Sequence, residues 1–228
     1  MTTLLVTGAN RGLGLEFVQQ YAADGVDVIA CCRAPAKAEA LNALVKTARN
    51  LRIAALDVAD PSSAASLKAD LGAQPIDIVI NNAGIGGPSD TRSIDAEAWL
   101  NILRVNALGP MLVSAALREN LIRGTDKKIV TITSGLGLNG GNTSGGWAPY
   151  RASKAAVNSF MRTLAVEWAR DGIAVAILSP GWVRTDMGGA TAQLSPQESV
   201  AALRERIAEL SLKTTGRFLG HTGKEIAW

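Results

Sequence analysis

Six short apolar runs, with a longer helical pattern fitting between most neighbours, limit what this chain can fold into more than any other feature. They cover residues 4–6, 26–32, 51–58, 76–81, 129–133 and 173–178, and each is almost continuously apolar. Such strands are buried on both faces, as in a parallel sheet covered by helices on either side. Helical spacing marks 12–24, 37–48, 61–71, 95–122, 149–171 and 196–212. Strand, helix and strand repeated in this order predict right-handed crossovers and a doubly wound parallel α/β sheet, with a seventh strand near 217–219. At 228 residues, 47% hydrophobic and 19% charged, the chain holds the core of one domain spanning 1–228 and shows no linker that would mark a second.

Charge and cysteine usage exclude several functions. Net charge is +3, from 23 basic and 20 acidic residues without a dense basic run, so nucleic acid is not an expected partner. The only cysteines, Cys31 and Cys32, are adjacent, a spacing that suits neither a structural disulfide nor a metal site. Their apolar setting predicts buried free thiols and a reducing compartment, and no metal is expected. The N-terminus has no basic leader, and no unbroken apolar run approaches the ~20 residues of a membrane span. The expectation is a cytoplasmic protein without a membrane partner.

In an open α/β sheet, ligands sit outside the carboxyl ends of the strands. After the first apolar run comes Thr7-Gly8-Ala9-Asn10-Arg11-Gly12-Leu13-Gly14, leading into an amphipathic helix. Glycines permit a tight turn and close backbone approach to a pyrophosphate, and the helix N-terminus presents unpaired N–H groups to it. The spacing G-x-x-x-G-x-G departs from the common G-x-G-x-x-G. At the end of the second run, where a carboxylate would bind the 2′-hydroxyl of NAD, the chain reads Cys31-Cys32-Arg33. Arg33 and Arg11 are either solvated surface side chains or forks for a 2′-phosphate; the absence of a carboxylate favours NADPH over NADH.

Tyr150 and Lys154 stand four residues apart within a helical segment, which places phenol and ammonium on one face. A cation beside a phenol favours the phenolate and draws its pKa down from about 10. Asn106 lies in the 95–122 segment ahead of Pro110, a residue that predicts a kink there.

With the glycine loop and the Tyr–Lys pair both in place, the chain resembles the short-chain dehydrogenase/reductase family in its compact single-domain form, over nearly its whole length. The resemblance implies a Rossmann fold, a bound NADP(H) and hydride transfer to or from a small-molecule carbonyl or alcohol. It rests on the glycine loop at 7–14, Asp57-Val58, Asn81-Asn82-Ala83-Gly84, Asn106, Ser134, Tyr150 with Lys154, and Pro180-Gly181-Trp182-Val183-Arg184-Thr185. By that resemblance Gly8, Asn10, Arg11, Gly12, Leu13, Gly14, Arg33, Asp57, Val58, Asn82, Ala83, Gly84, Pro180, Gly181, Val183 and Thr185 hold the dinucleotide. Lys154 grips the nicotinamide ribose and lowers the tyrosine's pKa, Tyr150 gives the proton, Ser134 places the substrate oxygen, and Asn106 holds a relay water. Several have a plainer alternative: Asp57 as a turn cap, Ser134 as an N-cap or turn residue, Asn106 as a group satisfying the kink, and Tyr150 with Lys154 as a surface or half-buried pair.

Ser134 and Tyr150 are sixteen residues apart, about three more than in many family members, and the surplus falls in the Gly-rich stretch 137–146. That insertion reshapes the rim of the substrate pocket. Leu136, Trp147, Trp182 and Met187 either line an apolar pocket or pack as core and lid. A short lid at about 186–200 is expected to hinge at Gly188-Gly189. His221, the only histidine, lies outside the motifs and is not expected to be catalytic. The expected activity is NADPH-dependent reduction of an aldehyde, ketone or quinone. The alternative is a dinucleotide-binding signalling protein, and an epimerase on the same fold fits less well because only about forty residues follow Thr185. A homodimer or homotetramer is expected, through the long helices at 95–122 and 149–171.

Overall fold

The computed structural model describes residues 2–228. Seven strands, β1 (Thr3–Thr7), β2 (Asp27–Cys32), β3 (Leu51–Ala55), β4 (Ile78–Asn81), β5 (Lys128–Ile132), β6 (Ala174–Ser179) and β7 (Phe218–Gly220), form one sheet. Every pairing is parallel, in the order β3-β2-β1-β4-β5-β6-β7. The order reverses between β1 and β4, which opens a crevice at their carboxyl ends.

Both faces are covered, as the continuous apolar runs predict. On one face pack α1 (Gly12–Ala23), α2 (Glu39–Val45) and α7 (Pro196–Glu209), through Phe17, Leu41 and Leu203. On the other lie α3 (Pro61–Leu71), α5 (Gly109–Arg123) and α6 (Ala148–Glu167), through Leu67, Leu117 and Met161. The pleat sends successive side chains to opposite cores: Leu4 and Val6 enter the first, Leu5 the second. Cys31 and Cys32 are divided in the same way, both buried and both free thiols. Neighbours on a strand whose sulfurs point to different layers cannot bridge without breaking the pleat.

Several boundaries differ from the sequence expectation. The third strand stops at Ala55 because the Asp57 N–H turns to the Ser63 hydroxyl at 2.9 Å, three residues before the apolar run ends. The expected helix 37–48 begins as a 3₁₀ turn at Pro35–Lys37 before α2. The expected helix 149–171 relaxes into a 3₁₀ turn at Trp168–Asp171. The expected helix 95–122 is interrupted: α4 (Ala96–Leu103) passes into a wide π turn, Arg104–Leu108, and only then into α5. Pro110 accounts for the break, since residue 110 has no N–H to return to the carbonyl of Asn106, and the Gly109 N–H reaches back five residues to Arg104.

The run Ala96–Arg123, with a mean hydropathy of 1.4 in its most apolar window, is long and apolar enough to cross a membrane. Judging by unbroken apolar runs overlooked it, because Glu97, Arg104 and Arg118 interrupt the sequence. Its inner face is occupied by the sheet, since Val113, Leu117 and Leu121 recur at helical spacing and are buried to 1% exposure or less.

Candidate active site

A cleft of about 980 Å³ runs along the carboxyl ends of the strands. It extends from Arg33 and Lys37 after β2 to Ser134 after β5 and Tyr150 on α6. Three strand spacings separate β2 from β5, roughly 14 Å.

The middle of the cleft is a trough of backbone. Gly8 has φ +63°, and a Cβ on it would stand 2.8 Å from the Cα of Ala83. A Cβ on Gly14 would lie 2.2 Å from the Gly8 carbonyl oxygen and 2.5 Å from the Asn82 amide nitrogen, so only glycine lets α1 seat against the loop. Asn82 braces that contact, its amide donating to the carbonyls of Thr7 (3.0 Å) and Gly8 (3.2 Å). The Thr7 hydroxyl in turn accepts from the N–H groups of Asn82 and Ala83 at 3.1 and 3.0 Å. Asn82, expected to bind the dinucleotide, therefore has its amide committed to shaping the trough.

The trough fits a dinucleotide. No side chain caps the N-terminus of α1 and no acidic residue occupies its first turn, so its free N–H groups and partial positive charge face the cleft. The side chain over Gly12 is that of Thr185, 3.5 Å from a would-be Cβ. Gly8, Asn10, Gly12 and Leu13 on one side, with Val58, Ala83 and Gly84 on the other, line the space. Asp57 also lines it, but its Oδ1 accepts the Ala59 N–H at 3.0 Å, so the turn-capping role is filled. Arg33 is exposed at the β2 end beside Lys37, a second cation that sequence reasoning missed. Arg11 reaches away to Asp186, 2.5 Å across the cleft, and this exposed pair links the glycine loop to the lid. Of the two expected arginines, only Arg33 has no carboxylate partner among the described residues.

The other end of the cleft carries the reactive groups. Lys154 is 4% exposed, and its ammonium donates to the Ile132 carbonyl at 3.0 Å. It sits 5.6 Å from the centre of the Tyr150 ring. Burial lowers the Lys154 pKa to about 8. Burial also raises the Tyr150 phenol, with the neighbouring Ser134 hydroxyl pulling weakly the other way. The direction differs from the one expected of the Lys–Tyr pair: loss of water is the largest influence on the phenol, and it favours the protonated form.

Asn106 is 1% exposed within the π turn, and its carboxamide is fully engaged. It accepts the Ile85 N–H at 2.8 Å and donates to the Ile85 carbonyl at 2.8 Å and the Ser153 hydroxyl at 3.0 Å. Ser153 then donates to the Tyr150 carbonyl at 2.7 Å. A Cβ on Gly84 would lie 3.4 Å from Asn106 Oδ1 and 3.7 Å from Lys154 Nζ, so the three converge. Ser153 carries no sequence signal of this bridging role. Ser134, at the end of β5, does cap a 3₁₀ turn (Gly135–Gly137) by accepting the Leu136 N–H at 3.1 Å.

The lid differs from the expected 186–200. Helix α7 already begins at Pro196, under a capping box of Ser195 and Glu198, so the loop ends at residue 195. It is pinned by a bridge between Val183 and Leu194 and by Arg184 donating to the carbonyls of Ala192 and Gln193. Gly188 is no free hinge, since a Cβ there would stand 2.0 Å from the Val183 carbonyl oxygen, while Gly189 has φ +78° and open space. Pro180 accepts from the Ser199 hydroxyl at 2.8 Å. His221, left aside in the sequence, packs behind Gly181 on this segment, 3.0 Å from a would-be Cβ. Leu136, Trp147, Trp182 and Met187 all line the cleft, Met187 from within the lid loop. Trp147 meets the Tyr150 ring edge-on at 6.1 Å.

A glycine-lined trough beside a half-buried Tyr150 and a buried Lys154 suits a dinucleotide-dependent oxidoreductase. Residues 2–195 match the family model of short chain dehydrogenases, and the chain belongs to that family. It is 36% identical to the C-signal protein of Myxococcus xanthus over 155 residues, 68% of this chain and 93% of that one. Its fold is similar to the carbonyl reductase Sniffer of D. melanogaster, with a TM-score of 0.92 and 30% identity over 100% of both chains. An NADPH-bound carbonyl reductase from chicken fatty liver superposes with a TM-score of 0.94 at 32% identity, over 100% of this chain and 99% of that one.

Proposed function

We propose that this protein is an NADPH-dependent carbonyl reductase, converting an aldehyde, ketone or quinone to the alcohol. The observation that carries the reading is a single cleft with Arg33 and Lys37 at one end and Tyr150, Ser134 and Lys154 at the other. The 2′-phosphate would lie between the two cations, and no carboxylate follows β2 to repel it. NADPH, when bound, supplies the hydride.

The protein's own residues supply position and a proton. Ser134 donates to the carbonyl oxygen and Tyr150 gives it a proton as charge develops there. The raised pKa of Tyr150 suits a donor, because the phenol stays protonated throughout the neutral range. Lys154 would hold the nicotinamide ribose, and the Asn106 carbonyl, to which Pro110 can return no N–H, would accept the water through which Tyr150 is reprotonated. The experiment is Tyr150→Phe: turnover falls roughly 10²–10⁴-fold, while NADPH affinity stays within a few-fold. Undiminished reduction by the variant would remove Tyr150 from the mechanism.

The identity to C-signal supports a second reading, a dinucleotide-binding signalling protein with little catalysis. Tight NADPH binding with no oxidation of it by any of a panel of aldehydes, ketones and quinones would favour that reading.

A further inference from the structure

Inside the Tyr150–Lys154 motif, Arg151 turns away from the reactive groups and grips the Gly-rich loop that precedes α6. Its guanidinium donates to the carbonyls of Gly146 (3.0 Å), Gly145 (3.2 Å) and Leu136 (3.4 Å) and to the Ser144 hydroxyl (3.1 Å). Three consecutive residues of that loop are left-handed: Gly145 (φ +64°), Gly146 (φ +70°) and Trp147 (φ +57°). Two are glycines, with no Cβ to strain; the third is a tryptophan held in a conformation L-residues avoid. Trp147 sits edge-on to Tyr150, and a Cβ on Gly86 of the opposite loop would touch its ring at 3.4 Å. The indole thus spans the gap between two rim loops directly beside the proton donor.

We propose that Arg151 is a positioning residue that clamps the inserted loop and thereby fixes Trp147 as the specificity-determining wall of the substrate mouth. This rests on the reductase reading for its effect on substrates, whereas the clamp itself is a property of the loop. A planar fork satisfies carbonyls from both sides of the loop at once; a flexible ammonium cannot. With the clamp intact, Trp147 offers a fixed flat face to the carbonyl substrate, so a flat aromatic ketone is held against it and a short aliphatic aldehyde gains little.

The test uses the full chain and three variants. In Arg151→Met, hydrogen exchange of residues 139–147 rises at least about tenfold, while the central strands keep wild-type protection. KM for a flat aromatic ketone rises about fivefold or more with kcat and NADPH affinity within about twofold, and KM for a short aliphatic aldehyde is unmoved. Arg151→Lys recovers only part of the loss. Trp147→Ala gives the same KM rise without loosening the loop, and the double variant is no worse than Trp147→Ala alone. Wild-type exchange in the loop of Arg151→Met, or additive losses in the double variant, would overturn the proposal. A wild-type protein that binds NADPH and reduces no carbonyl would end the reductase reading, and loop exchange would still decide for or against the clamp.

Discussion

The dinucleotide trough and the substrate mouth share one cleft and are built in opposite ways. The trough is backbone against backbone: Gly8 and Gly14 approach their neighbours so closely that a methyl group has no room, and Thr7 and Asn82 tie the two loops together. The mouth is made of side chains reaching over loops, with Arg151 on 144–146, Arg184 on 192–193 and Trp182 donating to the Gly188 carbonyl at 2.8 Å. Contacts of the first kind tolerate almost no substitution. Those of the second can be exchanged one by one, leaving chemistry intact while the accepted molecule changes.

Gly14→Ala tests the rigid half hardest. The added Cβ would overlap the Gly8 carbonyl oxygen, so α1 must shift, at a cost of roughly 1–3 kcal/mol or more. In a chain of this size that lowers the melting temperature by several degrees, about 2–4 °C per kcal/mol, and NADPH affinity falls at least about tenfold because the N–H groups no longer converge. Calorimetry and a binding titration check both, and a variant that melts and binds as the wild type does would show that the trough is as tolerant as the mouth.

A milder test uses pH. Lys154 is held to about 8 by burial in the free protein. A dinucleotide that accepts hydrogen bonds from the ammonium favours its charged form, so its affinity is flat below pH 8. Above pH 8 it declines by up to about tenfold per pH unit until the pKa of the complex is reached. Fluorescence titrations from mildly acidic to alkaline pH measure this, and an affinity independent of pH through 8 and above would sever Lys154 from binding. Stability responds with a different sign. Between about 8 and 10.5 the unfolded chain holds the Lys154 proton more tightly than the fold, so this group adds stability as pH rises. Cys31, raised from 9.0 to about 12 by burial, works against it: the fold keeps that proton, and stability is lost as pH climbs above 9.

The smallest effect belongs to an exposed cation. Arg33→Ala should weaken NADPH roughly tenfold and leave NADH nearly unchanged, about the contribution of one charge-assisted contact. Comparing the two affinities reads it directly. Equal losses for both cofactors would move the 2′-phosphate away from Arg33.

The trough was legible in the sequence because its requirements fall on single residue types at short range: glycine where a side chain cannot fit, an apolar run before it, an uncapped helix after it. Tyr150 and Lys154 were legible for the same reason, one helical turn apart. The mouth was not. Arg151 bonds mainly to carbonyls, which every residue possesses, so no residue type betrays its partners. Glu16, tied to Gln197 at 2.9 Å, pairs across 181 positions. The direction of the Tyr150 shift also escaped sequence reasoning, because adjacency of charges can be counted along a helix while loss of water cannot. Pro110 announced a break in its helix but not that the break would take the form of a π turn.

That wide turn sets the phase between two helices that share one axis. Each residue turns an α-helix by about 100°, so an extra one carried at Arg104–Leu108 rotates everything after it by that amount. Asn106 can therefore face Lys154 while Val113, Leu117 and Leu121 still meet the sheet. Removing a single residue from this turn would leave both halves helical yet point either the polar group or the apolar stripe in the wrong direction, so the chain tolerates substitutions here far better than a change in count.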